Sequence, residues 1–191
     1  LALLLASWAR HRGTEQRQTA AVWLSYALTS NDLEDEACVL LEQCVEQNRT
    51  LYGADHHNTM LLELKLGKAL AEKDPSRATA LQRRVYNVRR RTLGPDHEDT
   101  LLAGTDLART LLWNGGAAEA EPLLKASLAA SVKANGKDEP SSMIVAHDLA
   151  RCFAFQGKLA DSIDLVQEYL PRARQCLGND HRFTIDYEQL F

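Results

Sequence analysis

Three histidines, each directly after an aspartate, are the residues whose type and spacing most suggest chemistry. They are His56, His97 and His181. An imidazole beside a carboxylate could bind a metal ion or transfer protons. A zinc site, however, needs every ligand atom about 2 Å from one ion, whereas equivalent points of stacked helices lie roughly 8–10 Å apart. At the fourth occurrence of the pattern Glu139 replaces the histidine. The pattern therefore favours structural loop residues, and we expect no catalytic, cofactor-binding or metal site.

The histidines belong to a phrase that recurs along the chain. It reads L-Y-G-A-D-H-H-N-T at 51–59, L-G-P-D-H-E-D-T at 93–100, N-G-K-D-E-P-S-S at 135–142 and L-G-N-D-H-R-F-T at 177–184. Its glycines are spaced 41, 42 and 42 residues apart, and a worn copy lies at Gly13. A period of this length is typical of stacked repeats, each of which buries its apolar face against its neighbours. The phase predicts one array over 1–191: the tail of a preceding repeat at 1–12, repeats at 13–52, 53–93, 94–135 and 136–177, and the first helix of a further repeat at 178–191.

Apolar residues inside each repeat follow helical spacing, and no stretch alternates with period two. Each repeat is expected to hold a first helix of about four turns, a turn, and a second helix. The second helices are predicted at roughly 33–51, 76–93, 117–134 and 159–177. Small residues at matched places on both helices allow an antiparallel pair to cross closely; they are Ala27, Gly67, Ala108 and Ala150, and Ala37, Ala78, Ala120 and Ser162. The predicted fold class is all-α, a right-handed α-solenoid of antiparallel helix pairs.

The recurring phrase is interpreted as the turn that connects one repeat to the next. Its glycine can adopt the left-handed conformation that ends a helix. The following aspartate is expected to cap the next helix with its carboxylate, and Pro140 suits a first helical position. Pro171 falls deep inside the last second helix and is predicted to bend it.

Units of this kind resemble tetratricopeptide repeats, and the long period with its L-G-x-D-H-x-x-T joint is similar to the kinesin light chain type. The run E-A-E-P-L-L at 119–124 also resembles the start of the second helix in that family. The resemblance covers residues 13–191 and implies a concave groove, lined by the first helices, that takes a peptide. HEAT or armadillo repeats have a comparable period and are the alternative, but this joint is not expected in them.

A stripe along the first helices supplies the candidate groove residues. It consists of Leu61, Leu64 and Lys68, then Leu102, Thr105, Arg109 and Trp113, then Ile144, His147, Arg151 and Phe155. Lys68, Arg109 and Arg151 would form a ladder of cations flanked by apolar anchors, which suits a peptide with carboxylates and large hydrophobic side chains. Reversing Arg109 and Arg151 is expected to abolish capture of such a peptide with little effect on stability. The alternative is that the leucines pack between helices and the cations are solvated.

Charge and cysteine content exclude several classes of function. The net charge of −4 gives no general attraction to nucleic acid or to an anionic membrane. Five arginines in the segment 83–91 could contact RNA or could pair with acids of a neighbouring repeat. The four cysteines have no paired spacing and are interpreted as small core residues of a protein in a reducing compartment.

These observations favour a non-catalytic, cytoplasmic protein-interaction module within a larger scaffold or adaptor. Its expected partner is a protein or peptide with acidic and large hydrophobic residues; no cofactor or membrane is expected, and nucleic acid is disfavoured. The alternative is a sensing or inhibitory array of a nucleotide-dependent switch whose active site lies elsewhere. The leucine-rich start, Leu1 to Trp8, is expected to be covered in the parent protein and to promote self-association of the isolated fragment.

Overall fold

A computed structural model of the chain describes residues 34–189. These residues form eight α-helices and no strand, so the all-α prediction is confirmed. The helices are α1 (Glu34–Tyr52), α2 (His57–Leu70), α3 (Pro75–Leu93), α4 (Glu98–Trp113), α5 (Ala117–Asn135), α6 (Pro140–Phe155), α7 (Leu159–Leu177) and α8 (Arg182–Glu188). The first helix of the first repeat, Ala27 and the leucine-rich start with its expected self-association lie outside the described residues.

The predicted second helices correspond to α1, α3, α5 and α7. Their observed ends, Tyr52, Leu93, Asn135 and Leu177, lie within one residue of the predicted helix ends. The chain divides into two compact units between Val88 and Arg89. In the first unit α1 packs against α2; in the second, α4, α5, α6 and α7 pack in succession and α8 contacts α6 and α7.

The small residues that were predicted to lie at the helix crossings are buried. Ala37, Ala78, Ala108, Ala120, Ala150 and Ser162 have no exposed surface. The hydroxyl of Ser162 in α7 donates a hydrogen bond of 2.8 Å to the carbonyl of Ala150 in α6, which joins the two predicted columns directly. A Cβ added at Gly67 would lie 2.8 Å from Cγ of Gln82, so that crossing has no space for a larger residue.

The joint glycines have positive φ, as predicted, but Gly136 and Gly178 do not adopt the left-handed helical conformation. Gly136 has φ 88° and ψ 170°, and Gly178 has φ 92° and ψ 163°. These values fall in a region that is almost restricted to glycine, whereas asparagine also enters the left-handed helical region. The requirement for glycine at the joint is therefore stricter than a helix end alone would impose.

At two joints the histidine, rather than the aspartate, caps the next helix. Nδ1 of His56 accepts from the backbone N–H of Asn58 at 3.2 Å, and Nδ1 of His97 accepts from that of Asp99 at 3.1 Å. The prediction that the carboxylate caps was wrong at Asp55, whose carboxylate binds Arg84 instead, with Oδ1 2.9 Å from Nη1. The capping role accounts for His56 and His97 without any metal chemistry.

At three of the joints a side-chain hydroxyl forms a hydrogen bond with the joint glycine. Thr59, Ser142 and Thr184 each donate to the carbonyl of the glycine six residues earlier, at 2.9, 2.7 and 2.8 Å. At these three joints the last position of the recurring phrase is thus a hydrogen-bond donor to its glycine, whereas the hydroxyl of Thr100 at the fourth has no hydrogen-bond partner among the described residues. At the joint of Gly53 the glycine, the His56 cap and the Thr59 hydroxyl occur together, which gives the recurring phrase a structural role there.

Two further expectations concern α7 and the cysteines. The helix continues from Leu159 to Leu177 through Pro171, and the bend at that proline stays a prediction. Cys38, Cys44 and Cys152 are buried, as expected of small core residues, but Cys176 is exposed, so the prediction of a core role was wrong there.

Candidate peptide-binding surface

The part of the predicted stripe in the first unit is mostly covered by the fold. Leu64 is buried and Leu61 is half-buried, whereas Lys68 is exposed. Leu62 and Leu66 of the same helix belong to a core shared with α1 and α3. The leucines of α2 therefore serve mainly in packing.

Glu63 in α2 forms a buried ion cluster that sequence analysis missed. Its side chain has no exposed surface, although the sequence pattern suggests a large apolar residue there. Oε1 accepts from Nε and Nη2 of Arg49 at 3.0 and 2.6 Å, and Oε2 accepts from Nε of Arg84 at 2.9 Å. Arg84 also donates to the carbonyl of Ala54 at 2.9 Å. One buried carboxylate thus connects α1, α2, α3 and the joint after α1.

The arginine-rich segment 83–91 is partly committed to such internal contacts. Arg84 binds Glu63, and Arg89 is only 2% exposed, with its Nη1 donating to the carbonyl of Asp99 at 3.0 Å. Burial lowers the pKa of Arg89, and the nearby Asp99 and Asp106 oppose that shift. An RNA-binding face needs exposed cations, so this segment supports nucleic-acid binding less than its composition suggests.

In the second unit, Arg109 of the predicted ladder binds an acid of the same unit. Its Nε donates to Oδ2 of Asp148 at 2.6 Å, and the Asp148 side chain is only 7% exposed while that of Arg109 is 38% exposed. The contact joins α4 to α6, two consecutive first helices. Arg109 is therefore partly occupied in holding the fold.

His147 of the stripe is also an internal residue. It is buried, and its ring meets the ring of Tyr187 in α8 edge to face, with centroids 5.1 Å apart. Burial lowers the pKa of His147, Arg151 lowers it further, and the carboxylates of Asp148 and Asp186 oppose the shift. The imidazole is accordingly neutral at pH 7 and acts as a packing group.

Three members of the stripe come together at the surface of the second unit, and we call them the aromatic–arginine cluster. The guanidinium carbon of Arg151 lies 5.3 Å from the centroid of the Trp113 ring and 5.8 Å from that of Phe155. Trp113 and Phe155, at the C-terminal ends of α4 and α6, are 64% and 61% exposed. Large aromatic side chains at this exposure, held around a cation, are typical of interaction surfaces rather than of a folded core.

The remaining stripe residues of this unit have contacts other than those of the aromatic–arginine cluster. Ile144 is half-buried. Thr105 is buried; its hydroxyl donates to the carbonyl of Leu101 at 3.0 Å, and its oxygen lies 2.9 Å from the hydroxyl of Ser127. Leu102 is 54% exposed, and with Thr105 it lines a cavity between α4, α5 and α6. The stripe is thus divided among core, cavity and exposed cluster.

Within residues 34–189 no group of three or more histidine, cysteine, aspartate and glutamate side chains could hold a metal ion. No helix in this range has both the length and the apolar character needed to cross a membrane.

Comparison with protein families gives two matches of the same kind. Sequence models described as tetratricopeptide repeat match residues 102–175 and 69–99. Together these ranges cover more than half of the chain and include α3, α5 and α6 with most of α4 and α7. No protein of curated function is significantly similar to the chain.

Solved structures share the repeat fold. One solved structure is described as the nearly identical TPR-like repeats of a kinesin light chain from Podosopora anserina. It is 24% identical in sequence to this chain, with a TM-score of 0.71, and the match covers 91% of this chain and 83% of that one. BtubC (BKLC) from P. vanneervenii is 12% identical, with a TM-score of 0.75, over 94% of this chain and 72% of its own. The predicted resemblance to kinesin light chain repeats is confirmed at the level of the fold.

Proposed function

Because the chain belongs to the tetratricopeptide repeat family, a family of protein-interaction modules, we propose that it binds a peptide through its aromatic–arginine cluster. The peptide carries carboxylates beside large hydrophobic side chains. The observation that carries the proposal is the position of Arg151 between two exposed aromatic rings, 5.3 and 5.8 Å from their centroids.

The chemistry of the cluster selects this ligand class. Trp113 and Phe155 offer apolar area that a hydrophobic side chain can cover, which removes both surfaces from water. Arg151 presents a planar fork of donors that matches a carboxylate, and its stacking on the rings restricts the orientation of that fork. A ligand with both features would satisfy the cation and cover the rings at once.

The proposal narrows the eleven-residue stripe to three principal contacts. Leu64, Thr105 and His147 are buried, so their side chains are not available to a ligand. Arg109 contributes a half-exposed guanidinium whose Nε is occupied by Asp148. Arg151 is the stripe cation whose contacts are with exposed aromatic rings.

Fluorescence anisotropy with defined peptides tests the proposal. The probe is a fluorescein-labelled peptide that alternates glutamate with phenylalanine and leucine; two matched peptides replace the glutamates by lysine or the hydrophobic residues by alanine. We expect the first peptide to bind and both replacements to weaken binding by about tenfold or more.

Variants of the protein complete the test. Arg151→Glu, Trp113→Ala and Phe155→Ala should each weaken binding at least several-fold. Arg174→Glu is the matched control for charge, because Arg174 pairs with the exposed Glu188 on α8, and Leu93→Ala is the control for an exposed hydrophobic residue. Equal binding by Arg151→Glu and Arg174→Glu would refute the assignment.

A further inference from the structure

A cavity in the second unit has a different chemistry from the aromatic–arginine cluster. It encloses about 330 Å³ between the start of α4, the end of α5 and the start of α6. Leu101, Ser127 and Val145 are among the residues that line it. The volume is at the lower end of the range for small-ligand pockets.

Comparison with the next repeat explains why the space is open. Forty-two residues later the same three positions are Met143, Tyr169 and Tyr187. Those residues are 0%, 2% and 0% exposed and belong to one hydrophobic core cluster at α6, α7 and α8. Ser127 thus stands where the next repeat has one tyrosine ring, and Val145 stands where it has another. The cavity is the place that two aromatic rings fill one repeat later.

The lining favours an aromatic ring with a polar edge. Leu101, Leu102 and Val145 provide apolar contact. Hydroxyl groups lie beside them, because Ser131 also lines the cavity and shares a hydrogen bond of 2.8 Å with Ser142. In the equivalent core the buried hydroxyl of Tyr187 donates to the carbonyl of Met143 at 2.5 Å, so this type of site accommodates a phenol.

Charge at the cavity is purely acidic. Asp96 and Glu98 are the charged residues among those that line it, and both are exposed. Neither carboxylate has an ion-pair partner among the described residues. A ligand that enters here therefore meets two carboxylates and no lining cation, which disfavours the acidic peptide proposed for the aromatic–arginine cluster.

We propose that this cavity is a second docking site, which takes a tyrosine-like aromatic side chain from a basic segment of a partner protein. The ring occupies the space that Tyr169 and Tyr187 fill in the next repeat. Lysine or arginine residues beside it bind Asp96 and Glu98. Since it is a separate site with the opposite charge preference, it does not depend on the aromatic–arginine cluster.

The test uses the full 191-residue chain and a fluorescein-labelled peptide, Gly-Lys-Lys-Tyr-Lys-Lys-Gly. Two matched peptides carry alanine for the tyrosine or glutamate for the lysines. We expect binding that is weakened about tenfold or more by either replacement. Absence of binding at millimolar concentration, or equal binding of the alanine peptide, would overturn the proposal.

Variants then locate the site. Ser127→Tyr and Val145→Tyr each restore a ring that the next repeat has, and each should abolish binding of the lysine–tyrosine peptide while circular dichroism remains unchanged; two variants are used so that misfolding of one does not remove the test. Asp96→Asn with Glu98→Gln should weaken binding about three- to tenfold and reduce its dependence on salt.

Other occupants would give different results. If Ser127→Tyr or Val145→Tyr folds and still binds the lysine–tyrosine peptide as well as the parent chain, the assignment of the cavity as the binding site would be wrong. Concentration-dependent self-association of the parent chain that Ser127→Tyr abolishes would show that a second copy, rather than a basic partner, fills the cavity. None of these variants alters Trp113, Arg151 or Phe155, so failure here leaves the acidic-peptide proposal standing.

Discussion

Arginine serves different purposes around Glu63 in the first unit and at the aromatic–arginine cluster in the second. Arg49 and Arg84 converge on a carboxylate with no exposed surface, and both guanidinium groups are occupied in connecting helices. Arg151 stacks instead over two rings that are more than 60% exposed. Arg109 lies between these cases, since it is 38% exposed but binds the buried Asp148.

The difference teaches that a cation is available to a ligand only where the fold gives it no buried acid to neutralise. A buried carboxylate that loses its partner is strongly unfavourable, so its arginine is held in place. Exposed aromatic rings attract a guanidinium weakly, by about 0.5–1 kcal/mol, which leaves it able to bind a ligand as well. Substitutions can therefore rank these arginines by their effect on the free energy of unfolding.

The largest effect is expected at Glu63. Glu63→Gln removes the charge that two guanidinium groups share and places an amide N–H₂ among donors, so the free energy of unfolding should fall by about 3 kcal/mol. Urea denaturation followed by circular dichroism measures it.

Glu42→Gln is the matched control, because Glu42 binds Arg77 at 2.5 Å with side chains that are 40% and 49% exposed. Exposed pairs contribute less than about 1 kcal/mol. If the two variants were equally stable, the buried cluster would not hold these helices together.

Reversal of Arg109 should have the next largest effect. Arg109→Glu brings a second carboxylate to the nearly buried Asp148, and we expect a loss of about 2 kcal/mol after allowing for the exposure of Arg109. Arg151→Glu should change stability by less than about 0.5 kcal/mol, as is usual for surface substitutions.

The sequence analysis expected that reversing both Arg109 and Arg151 would leave stability nearly unchanged, because it took both charges to be exposed. Arg109 is instead paired with the nearly buried Asp148, so the two single variants are compared separately by urea denaturation. If the two single variants were equally stable, Arg109 would not be needed for the fold and would count again as a candidate ligand-binding cation.

Sequence patterns predicted the local features of the molecule well. The helix ends, the glycine joints and the small residues at the crossings repeat with a fixed period, and each depends on neighbours that the period also specifies. The ion pairs could not be predicted in this way, because Arg84 reaches Glu63 and Arg109 reaches Asp148 only after helices pack, and Glu63 has no equivalent acid one repeat later, where Gly104 stands.

The cavity and the histidine caps had readable signals that were missed. Aligning the chain with itself at 42 residues places Ser127 against Tyr169, and a small residue opposite a large one marks a loss of volume. The caps required only that the imidazole nitrogen, like a carboxylate oxygen, can accept from a backbone N–H. The exposure of Trp113 and Phe155 depends on where their helices end relative to the core and was open from sequence.

His147 provides a prediction on pH. Its pKa is lowered in the folded chain, whereas an unfolded histidine has an ordinary pKa near 6.5. The unfolded chain therefore binds the proton first as the pH falls, so this contribution to stability is complete above about pH 6.5 and is lost below it, by at most about 1.4 kcal/mol per pH unit.

His147→Phe keeps a ring against Tyr187 without a titrating group, so its stability relative to the parent chain should rise between pH 7.5 and 5.5. Urea unfolding at both values measures the difference. The exposed His57, replaced by asparagine, serves as the control. Parallel changes in parent and His147→Phe would contradict the burial of a neutral imidazole.

The smallest effect is expected from Arg151→Lys, and it examines the exposed side of the comparison most closely. The charge is kept, but the planar guanidinium that stacks over Trp113 and Phe155 and presents two parallel donors to a carboxylate is lost. Binding of the glutamate–phenylalanine–leucine peptide should weaken by about two- to fivefold, equivalent to about 0.5–1 kcal/mol, with no change in the urea midpoint. Titration calorimetry measures the Kd of the acidic peptide, and the loss of affinity should be small because the positive charge remains.

Arg109→Lys should behave differently, because its ion pair with Asp148 contributes to the fold and its urea midpoint should fall. If Arg151→Lys lowered the urea midpoint and left Kd unchanged, Arg151 would belong with Arg84 among the arginines that hold the fold.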